Sequence, residues 1–440
     1  MNILSLDSPY SPLFSMIVEQ IEGVTSFHGL FSEKGYKHYF YGDRCVFVSD
    51  IVKQNVNITE NDINLAKRSN NHYSAYIKKF EGRDLREDEI NIFASFSNYF
   101  RTYLKDQKIN FVMMHNDLRW HHALAREICI EEGVPFCVSE LGLFRPYTTT
   151  LDYHGVNANS SITNLDVKFE KYLETHNDSF DVNKKFHGHE SNKSKLNFAY
   201  FLMLNKIASI FGHDSPISHN DFKIRLYAKR FWLQSVKHHF YSLNKYDDTI
   251  PSKPYVFFPM QLEYDTQFLV HSDFSSNQVL LQQVEKAFYD SNLAKTHELV
   301  VKLHPNDLGV YNARNSTVFT KANATMLVNK ASSVISVNST VCMDALETDK
   351  PLYVLGRAFF ARPDICQPCK ISELADALSN PNPVDREARR GFIKYLKYEY
   401  SIHGAGFSFK KEQLIKVADE IKGLVSNNHQ KYYLRDIYGE

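Results

Sequence analysis

The stretch Phe111-Val112-Met113-Met114-His115-Asn116-Asp117-Leu118-Arg119-Trp120-His121-His122 decides the fold. Its short apolar run, Phe111 to Met114, ends abruptly in an acid, a guanidinium and imidazoles. A run of that kind reads as a buried parallel strand that delivers polar groups to the carboxyl edge of a sheet, where open α/β folds bind ligands. This placement marks the chain as an enzyme candidate. A helix is predicted to begin just past Asn116 or Asp117, either of which is a favoured N-cap. Capping does not account for Arg119 or the adjacent imidazoles.

The same motif recurs outward along the chain. Strands are predicted near Asn2 to Leu6, Cys45 to Ser49, Asn110 to Met114 and Phe136 to Ser139, then near Tyr255 to Pro259, Leu299 to Leu303, Ser333 to Val337 and Leu352 to Leu355. Longer helical patterns separate them, so the reading is α/β, with two doubly wound, Rossmann-like domains built on parallel sheets. At 440 residues the chain exceeds the size of one core. The expected domains are 1–250 and 251–440, divided within Lys245 to Lys253, with a polar insertion near 175–195. A basic, aromatic helix is expected near 222–240, either as a solvated domain connector or as a surface touching anionic lipid.

Composition narrows the function classes. Lys plus Arg equals Asp plus Glu at 51 each, so no global field recruits nucleic acid and any anion site is local. The amino terminus carries no basic segment followed by a long apolar run, and no stretch approaches the ~20 apolar residues needed to cross a bilayer. A cytoplasmic protein is expected, with peripheral contact at the inner membrane left open. Six cysteines, mostly within apolar segments, suit reduced thiols, and the lone CxxC at Cys366 and Cys369 has no second ligand pair.

Four polar clusters follow predicted strands. The first is Asp117, Arg119, His121 and His122. The second is Glu140-Leu141-Gly142 with Arg145-Pro146, Thr150 and Gly155-Val156-Asn157. Its Arg145 and Asn157 are donors suited to an acidic substrate, since a guanidinium grips a carboxylate in bidentate fashion. The third is Lys302-Leu303-His304-Pro305-Asn306-Asp307, where an imidazole stiffened by proline can donate to a phosphate. The fourth, Asn338-Ser339-Thr340 at a helix start, offers hydroxyls and free amides to an anion or simply caps the helix, with Gly356 and Arg357 as a neighbouring wall. Gln261, Asp265, Gln267, His271 and Ser272 add polar groups suited to a hydroxylated ligand. Phosphate-loop, GxGxxG, nucleophile-elbow and HExxH signatures are absent, as is a DxD pair that would hold a divalent ion, so neither a metal nor a cofactor is expected.

Taken together, the DxRxxH cluster at Asp117 to His122, Glu140-x-Gly142 with Arg145-Pro146 and Gly155-Val156-Asn157, Lys302-x-His304-Pro305 and Asn338-Ser339-Thr340 resemble the capsule polysaccharide biosynthesis proteins of the KpsS and KpsC type. The resemblance runs from about Asn110 to Phe407 and includes the closing Phe392-Ile393-x-Tyr395-Leu396 and Gly404-x-Gly406-Phe407. It implies a GT-B architecture, with the two domains facing a central cleft. It also implies a retaining β-Kdo glycosyltransferase that draws on CMP-Kdo to build a Kdo linker on a phospholipid or glycolipid acceptor in Gram-negative bacteria. By the same resemblance, which extends to the His-Pro and Ser/Thr elements of bacterial sialyltransferases, His304, Ser339 and Thr340 hold the cytidylate, and Pro305, Asn338 and Gly356 are expected beside them on the donor side. Asp117, Glu140 and His304 are then the catalytic groups, and Arg119, His122, Arg145, Asn157, Gln261, Asp265 and His271 meet the sugar carboxylate or the acceptor. The chain departs from the family at Leu141, where KpsC-like members carry Asp and KpsS-like members often Glu, so the carboxylate role falls to Glu140 or Asp117. Two alternatives stay open: a transferase for another CMP- or nucleotide-activated sugar, and a non-catalytic capsule assembly or export partner.

Overall fold

The computed structural model describes residues 1–53, 57–144, 148–175, 192–213, 215–217, 250–307, 309–314 and 316–426. The segment expected as a basic helix near 222–240, Arg145, and most of the insertion near 175–195 lie outside these residues. The chain divides into two compact units. Unit 1 comprises Met1–Val167, Asn177–Asp221 and Leu396–Glu440, and unit 2 comprises Lys168–His176 and Phe222–Tyr395. The expectation that 251–440 forms one domain is therefore corrected at its carboxyl end: the residues from Leu396 onward belong to unit 1.

Unit 1 begins with β1 (Asn2–Ser5), β2 (Ser26–Phe31), β3 (Arg44–Phe47), β4 (Phe111–His115), β5 (Phe136–Leu141) and β6 (Thr148–Asp152). Unit 2 holds β7 (Tyr255–Pro259), β8 (Glu298–Lys302), β9 (Val318–Phe319), β10 (Ser333–Ser336), β11 (Leu352–Val354) and β12 (Gln367–Pro368). The chain then returns to unit 1 with β13 (Ser401–Ala405) and β14 (Ser408–Phe409).

The sheet of unit 1 runs β14-β13-β6-β5-β4-β1-β2-β3. Strands β1 to β5 are parallel, whereas β6, β13 and β14 extend the sheet through antiparallel pairings. Alternation along β4 explains why its apolar run is unbroken. Val112 and Met114 pack on one face with Phe93, Phe96, Trp120 and Leu124, while Phe111 and Met113 pack on the other with Phe14, Ile17, Val417 and Ile421. A parallel strand covered on both faces has no solvent side for polar residues. The helices Glu87–Asp106 and Trp120–Glu132 cover the first face, and Leu13–Val18 and Lys411–Ser426 the second.

Unit 2 carries an all-parallel sheet, β12-β11-β10-β7-β8-β9. Val256, Phe258, Leu299, Val301 and Ile335 pack against Leu280, Leu281, Val284 and Phe288 of the helix Asn277–Asp290. Counted outward from β7, its strands follow the 3-2-1-4-5-6 order of a doubly wound sheet, and β3-β2-β1-β4-β5 repeats that winding in unit 1.

All eight predicted strands are present, within about two residues at their ends. Strand β2 was not expected, because His28 and Gly29 interrupt its apolar pattern. Its buried His28 is satisfied locally, by the Tyr103 hydroxyl at 2.7 Å and the Ser26 hydroxyl at 2.9 Å. The six cysteines are all free.

Candidate active site

In unit 1 the chain winds away from β1 in one direction and from β4 in the other, so these adjacent strands form the topological switch point where open α/β sheets bind ligands. Asp7 lies just past β1, and His115 to His122 lie at and past the end of β4. Among the described residues, three of the four non-glycine positions with positive φ, Tyr10 (52°), Asn116 (62°) and Asn157 (57°), fall around this point. Such a backbone persists only where its surroundings over-determine it.

Asn116 shows how. Its Oδ1 accepts from the Leu118 amide at 3.0 Å, and its Nδ2 donates to Glu140 Oε2 at 2.9 Å, tying the end of β4 to the end of β5. The predicted capping role is therefore corrected: the helix starts at Trp120, with Arg119 at the N-cap and no side-chain cap bond. Glu140 is half-buried, and its Oε1 accepts from the Leu141 amide at 2.8 Å, while Leu141 itself points to solvent.

Asp117 is 1% exposed. Its Oδ2 accepts from Asn159 Nδ2 at 2.9 Å and faces Arg126 Nε at 3.9 Å, whereas its Oδ1 is buried with no hydrogen-bond partner among the described residues. Burial pushes this carboxyl up, and Arg126 and Asn159 only partly offset it. A buried, unpaired acceptor is costly and calls for an explanation, of which a ligand is one. Gly155 is required here: a Cβ on it would lie 2.7 Å from Asp117 Oδ2 and 2.6 Å from the Asn159 carbonyl. Asp152 anchors the loop that carries these residues. Its Oδ1 accepts from the His154 and Gly155 amides, and its Oδ2 from the hydroxyls of Ser160, Ser161 and Tyr400.

Arg119, 3% exposed, turns inward. Its Nη1 donates to Asp7 Oδ2 at 3.1 Å and to the Tyr36 hydroxyl at 2.7 Å. Asp7 also accepts from the Ser32 amide and hydroxyl and from His121 Nε2 at 3.2 Å. Burial pushes Asp7 up, but His121, His122 and Arg119 outweigh it and hold the carboxyl well below the usual range. The role expected of Arg119 as a ligand for a sugar carboxylate does not match this placement, since its charge is already paired inside the fold. His122 is likewise buried. Its Nδ1 donates to the carbonyls of His115 and Asn116, and burial, with His121 next to it, drives it well below 6.5. Asp7, His121 and His122 bring ligand-type atoms within 4.8 Å of one another. A divalent ion does not suit this donor set, because the Arg119 guanidinium already supplies the positive charge beside Asp7.

In unit 2 the switch point lies between β7 and β10. Gln261, past β7, and Asn338, past β10, clasp across it: Gln261 Nε2 donates to Asn338 Oδ1 at 2.9 Å, and the Asn338 amide donates to Gln261 Oε1 at 3.1 Å. Asn338 Nδ2 donates to the carbonyls of Gln267, His271 and Arg357, so this residue fastens three loops together. Asp265 caps the short helix Thr266–Leu269 through the Gln267 amide. Burial, then Arg357, lowers His271 to about 4, and its Nε2 has no hydrogen-bond partner among the described residues. A Cβ on Gly356 would press on Val337 and on the His271 carbonyl.

Ser339 and Thr340 precede the helix Val341–Leu346, and Thr340 makes no side-chain cap bond. Pro305 is exposed. His304 accepts from the Asn306 amide at Nδ1, 3.1 Å away, which places the proton of its neutral ring on Nε2. Burial lowers its pKa, against the opposing pull of Asp265 and Asp307, so the neutral donor form prevails near neutrality.

Sequence reasoning missed Asp7, Tyr36, Asp152 and Asn159. The strand-end rule applied to β4 would have found Asp7 in Leu6-Asp7-Ser8 after β1. The other three are brought in by loops whose course no periodicity reveals.

Each unit is a doubly wound α/β fold, unit 1 with carboxylates at the carboxyl ends of β4 and β5 and unit 2 with anion-compatible donors past β8 and β10. The chain belongs to the capsule polysaccharide biosynthesis protein family, whose model matches residues 110–405. It is similar to the capsule polysaccharide modification protein LipB of Neisseria meningitidis serogroup A, with 26% identity over 339 residues, covering 71% of this chain and 78% of that one. LipB of serogroup B gives 26% identity over 343 residues with the same coverage. Among solved structures it is similar to Thermosulfurimonas dismutans KpsC, β Kdo 2,7 transferase, with a TM-score of 0.35 and 12% identity, covering 79% of this chain and 94% of that one. No helix among the described residues is long and apolar enough to cross a membrane.

Proposed function

We propose that this protein is a retaining glycosyltransferase of capsule assembly that transfers Kdo from CMP-Kdo to a phospholipid or Kdo-bearing phospholipid. One observation carries the reading: the span matched by the family, 110–405, contains in order a buried carboxylate with a free oxygen, a second carboxylate one strand away, and an imidazole whose Nε2 carries the proton.

In this reading His304 Nε2–H, Ser339 and Thr340 bind the cytidylate phosphate. As the bond from the anomeric carbon to the phosphate oxygen breaks, its electron pair goes to the phosphate, and donors aimed there stabilise the transition state more than the ground state. No metal is needed for that step. Asp117 Oδ1 then attacks the anomeric carbon, because burial makes this carboxylate more basic than an ordinary one. Glu140, held by Asn116, supports the positive charge on the sugar and takes the proton of the acceptor hydroxyl that displaces Asp117, so two inversions give retention. The acceptor is a membrane lipid, so the enzyme works at a bilayer surface.

The test is transfer of Kdo from CMP-Kdo to a phosphatidylglycerol analogue. The wild-type protein is expected to form product with release of CMP, and an Asp117→Ala, Glu140→Ala double variant to form none. Undiminished turnover by the double variant overturns the catalytic assignment. Release of CMP only from a different CMP-sugar overturns the donor.

A further inference from the structure

The helix Asn192–Ile210 presents two apolar faces. The inner face is fastened to unit 1. Phe201 is fully buried, with its ring centroid 4.9 Å from that of Tyr36 and 5.3 Å from that of Tyr10. Asn205 Oδ1 accepts from the Gly35 amide at 2.6 Å, and Asn197 Oδ1 bonds His38 Nε2 at 2.6 Å. The outer face carries a continuous stripe, Leu196, Tyr200, Met203, Ile207, Ile210 and Phe211, with Leu196 and Ile210 each 71% exposed and Phe211 74%. Spacings of four and three residues keep Leu196 to Ile210 on one side of the helix, and Phe211 follows directly after its last turn.

A patch of this kind on a folded surface marks something that covers it. Charge identifies the cover. From Asn192 to Phe211 the sequence contains Lys193, Lys195 and Lys206 and no Asp or Glu, and all three lysines are exposed. Within this helix the apolar stripe is accompanied by lysines alone, which matches the interface of an anionic bilayer, with the side chains of the stripe among the acyl chains and the ammonium groups at the lipid phosphates.

We infer that the outer face of Asn192–Ile210 is the surface by which this protein lies on an anionic lipid bilayer. The inner face of the same helix touches Tyr10 and Tyr36, both of which bond Arg119, so docking brings the lipid surface to within about one helix diameter, ~10 Å, of the β1–β4 switch point. The inference stands without the proposed reaction, because it concerns binding and not turnover.

The test is flotation of the full chain with vesicles of phosphatidylcholine alone and of phosphatidylcholine mixed with phosphatidylglycerol. The wild-type protein is expected to float with the mixed vesicles and much less with the neutral ones. An Ile207→Ser, Ile210→Ser, Phe211→Ser variant is expected to lose binding by on the order of a hundredfold or more, because three inserted side chains are removed. A Lys193→Gln, Lys195→Gln, Lys206→Gln variant is expected to lose the preference for phosphatidylglycerol while keeping residual apolar binding. Each variant removes only exposed groups, so unchanged circular dichroism and thermal midpoint establish that it is folded. Retained turnover on a short-chain, water-soluble acceptor separates loss of docking from loss of chemistry.

Absence of wild-type flotation, or equal flotation by the serine variant, overturns the inference. So does a sedimentation result in which the wild-type protein dimerises through this face, the serine variant is monomeric, and both bind vesicles alike.

Discussion

Asp7 Oδ2 and Arg119 Nη1 lie 3.1 Å apart although 112 residues separate them in the chain, and this buried ion pair locks the end of β1 to the start of the helix that follows β4. Its removal should be strongly asymmetric. Asp7→Ala leaves a buried guanidinium without its counter-charge and is expected to cost unit 1 about 3–5 kcal/mol, whereas Asp7→Ala combined with Arg119→Met should cost clearly less. Urea unfolding followed by Trp120 fluorescence, with Trp232 replaced by Phe, measures the difference. Equal losses in both variants would show that the pair is not coupled.

The two carboxylates should separate kinetically. Asp117→Asn removes the proposed nucleophile and is expected to lower kcat on the order of 10⁴-fold, with KM for the donor little changed. Glu140→Gln keeps one acceptor oxygen, enough for either the Asn116 amide group or the Leu141 N–H but not both, and should lose about 10²-fold. Steady-state kinetics on both variants decides the assignment, and the reverse order would exchange the two roles.

Acid should loosen unit 1, and the sign follows from the histidines. Burial, with Arg119 nearby, lowers His115 to about 3, and His122 is driven well below 6.5. Both are neutral when folded and take up protons near pH 6.5 once unfolded, so stability falls as pH drops below about 6.5, by up to ~1.4 kcal/mol per pH unit for each group. Asp7 acts in the same direction at lower pH. Its carboxyl is depressed in the fold, so its contribution is present above the unfolded value near 4 and disappears as pH falls toward the folded value. His122→Gln, which retains a donor for the His115 carbonyl, should remove about half of the slope between about pH 6.5 and about pH 5. Urea midpoints across that range measure it, and an unchanged slope rejects the account.

Gly155→Ala tests the close approach at Asp117. The new methyl must displace the carboxylate or Asn159, which is expected to cost about 1–3 kcal/mol and a disproportionate share of kcat. Normal kinetics in a destabilised protein would place Asp117 outside the chemistry.

His304 is proposed to act as a neutral donor, so kcat should stay flat as pH falls from about 8 to about 6.5, where an imidazolium donor would make it rise. His304→Gln, with an amide N–H close to the position of Nε2, should retain more activity than His304→Ala. Parallel pH–rate profiles of the three proteins settle the point.

Much of the fold was legible because buried parallel strands cannot disguise themselves: Phe111 to Met114 and Tyr255 to Pro259 are apolar at every position, since both faces are covered. The same rule flagged Asp117, Glu140 and His304 as strand-end groups. It could not tell which polar residues face a ligand and which hold the fold together. Arg119 and Asn338 were read as binding groups, yet Arg119 is paired with Asp7 and Asn338 clasps three loops. Nothing in local spacing announces a partner 112 residues away. The strands β13 and β14 were missed for a related reason: they are short, contain Gly404, and are specified by the edge they complete.

That completion has a consequence for biosynthesis. Strand β13 pairs with β6 through Ser401 and Thr150, so the sheet of unit 1 keeps an open edge while the ribosome makes everything between them. Unit 2 is encoded almost entirely within that interval and is available to fold first. Until β13 emerges the nascent chain thus carries β6 paired to β5 on one side and open on the other, a stage at which a ribosome-bound chaperone would have the most to protect.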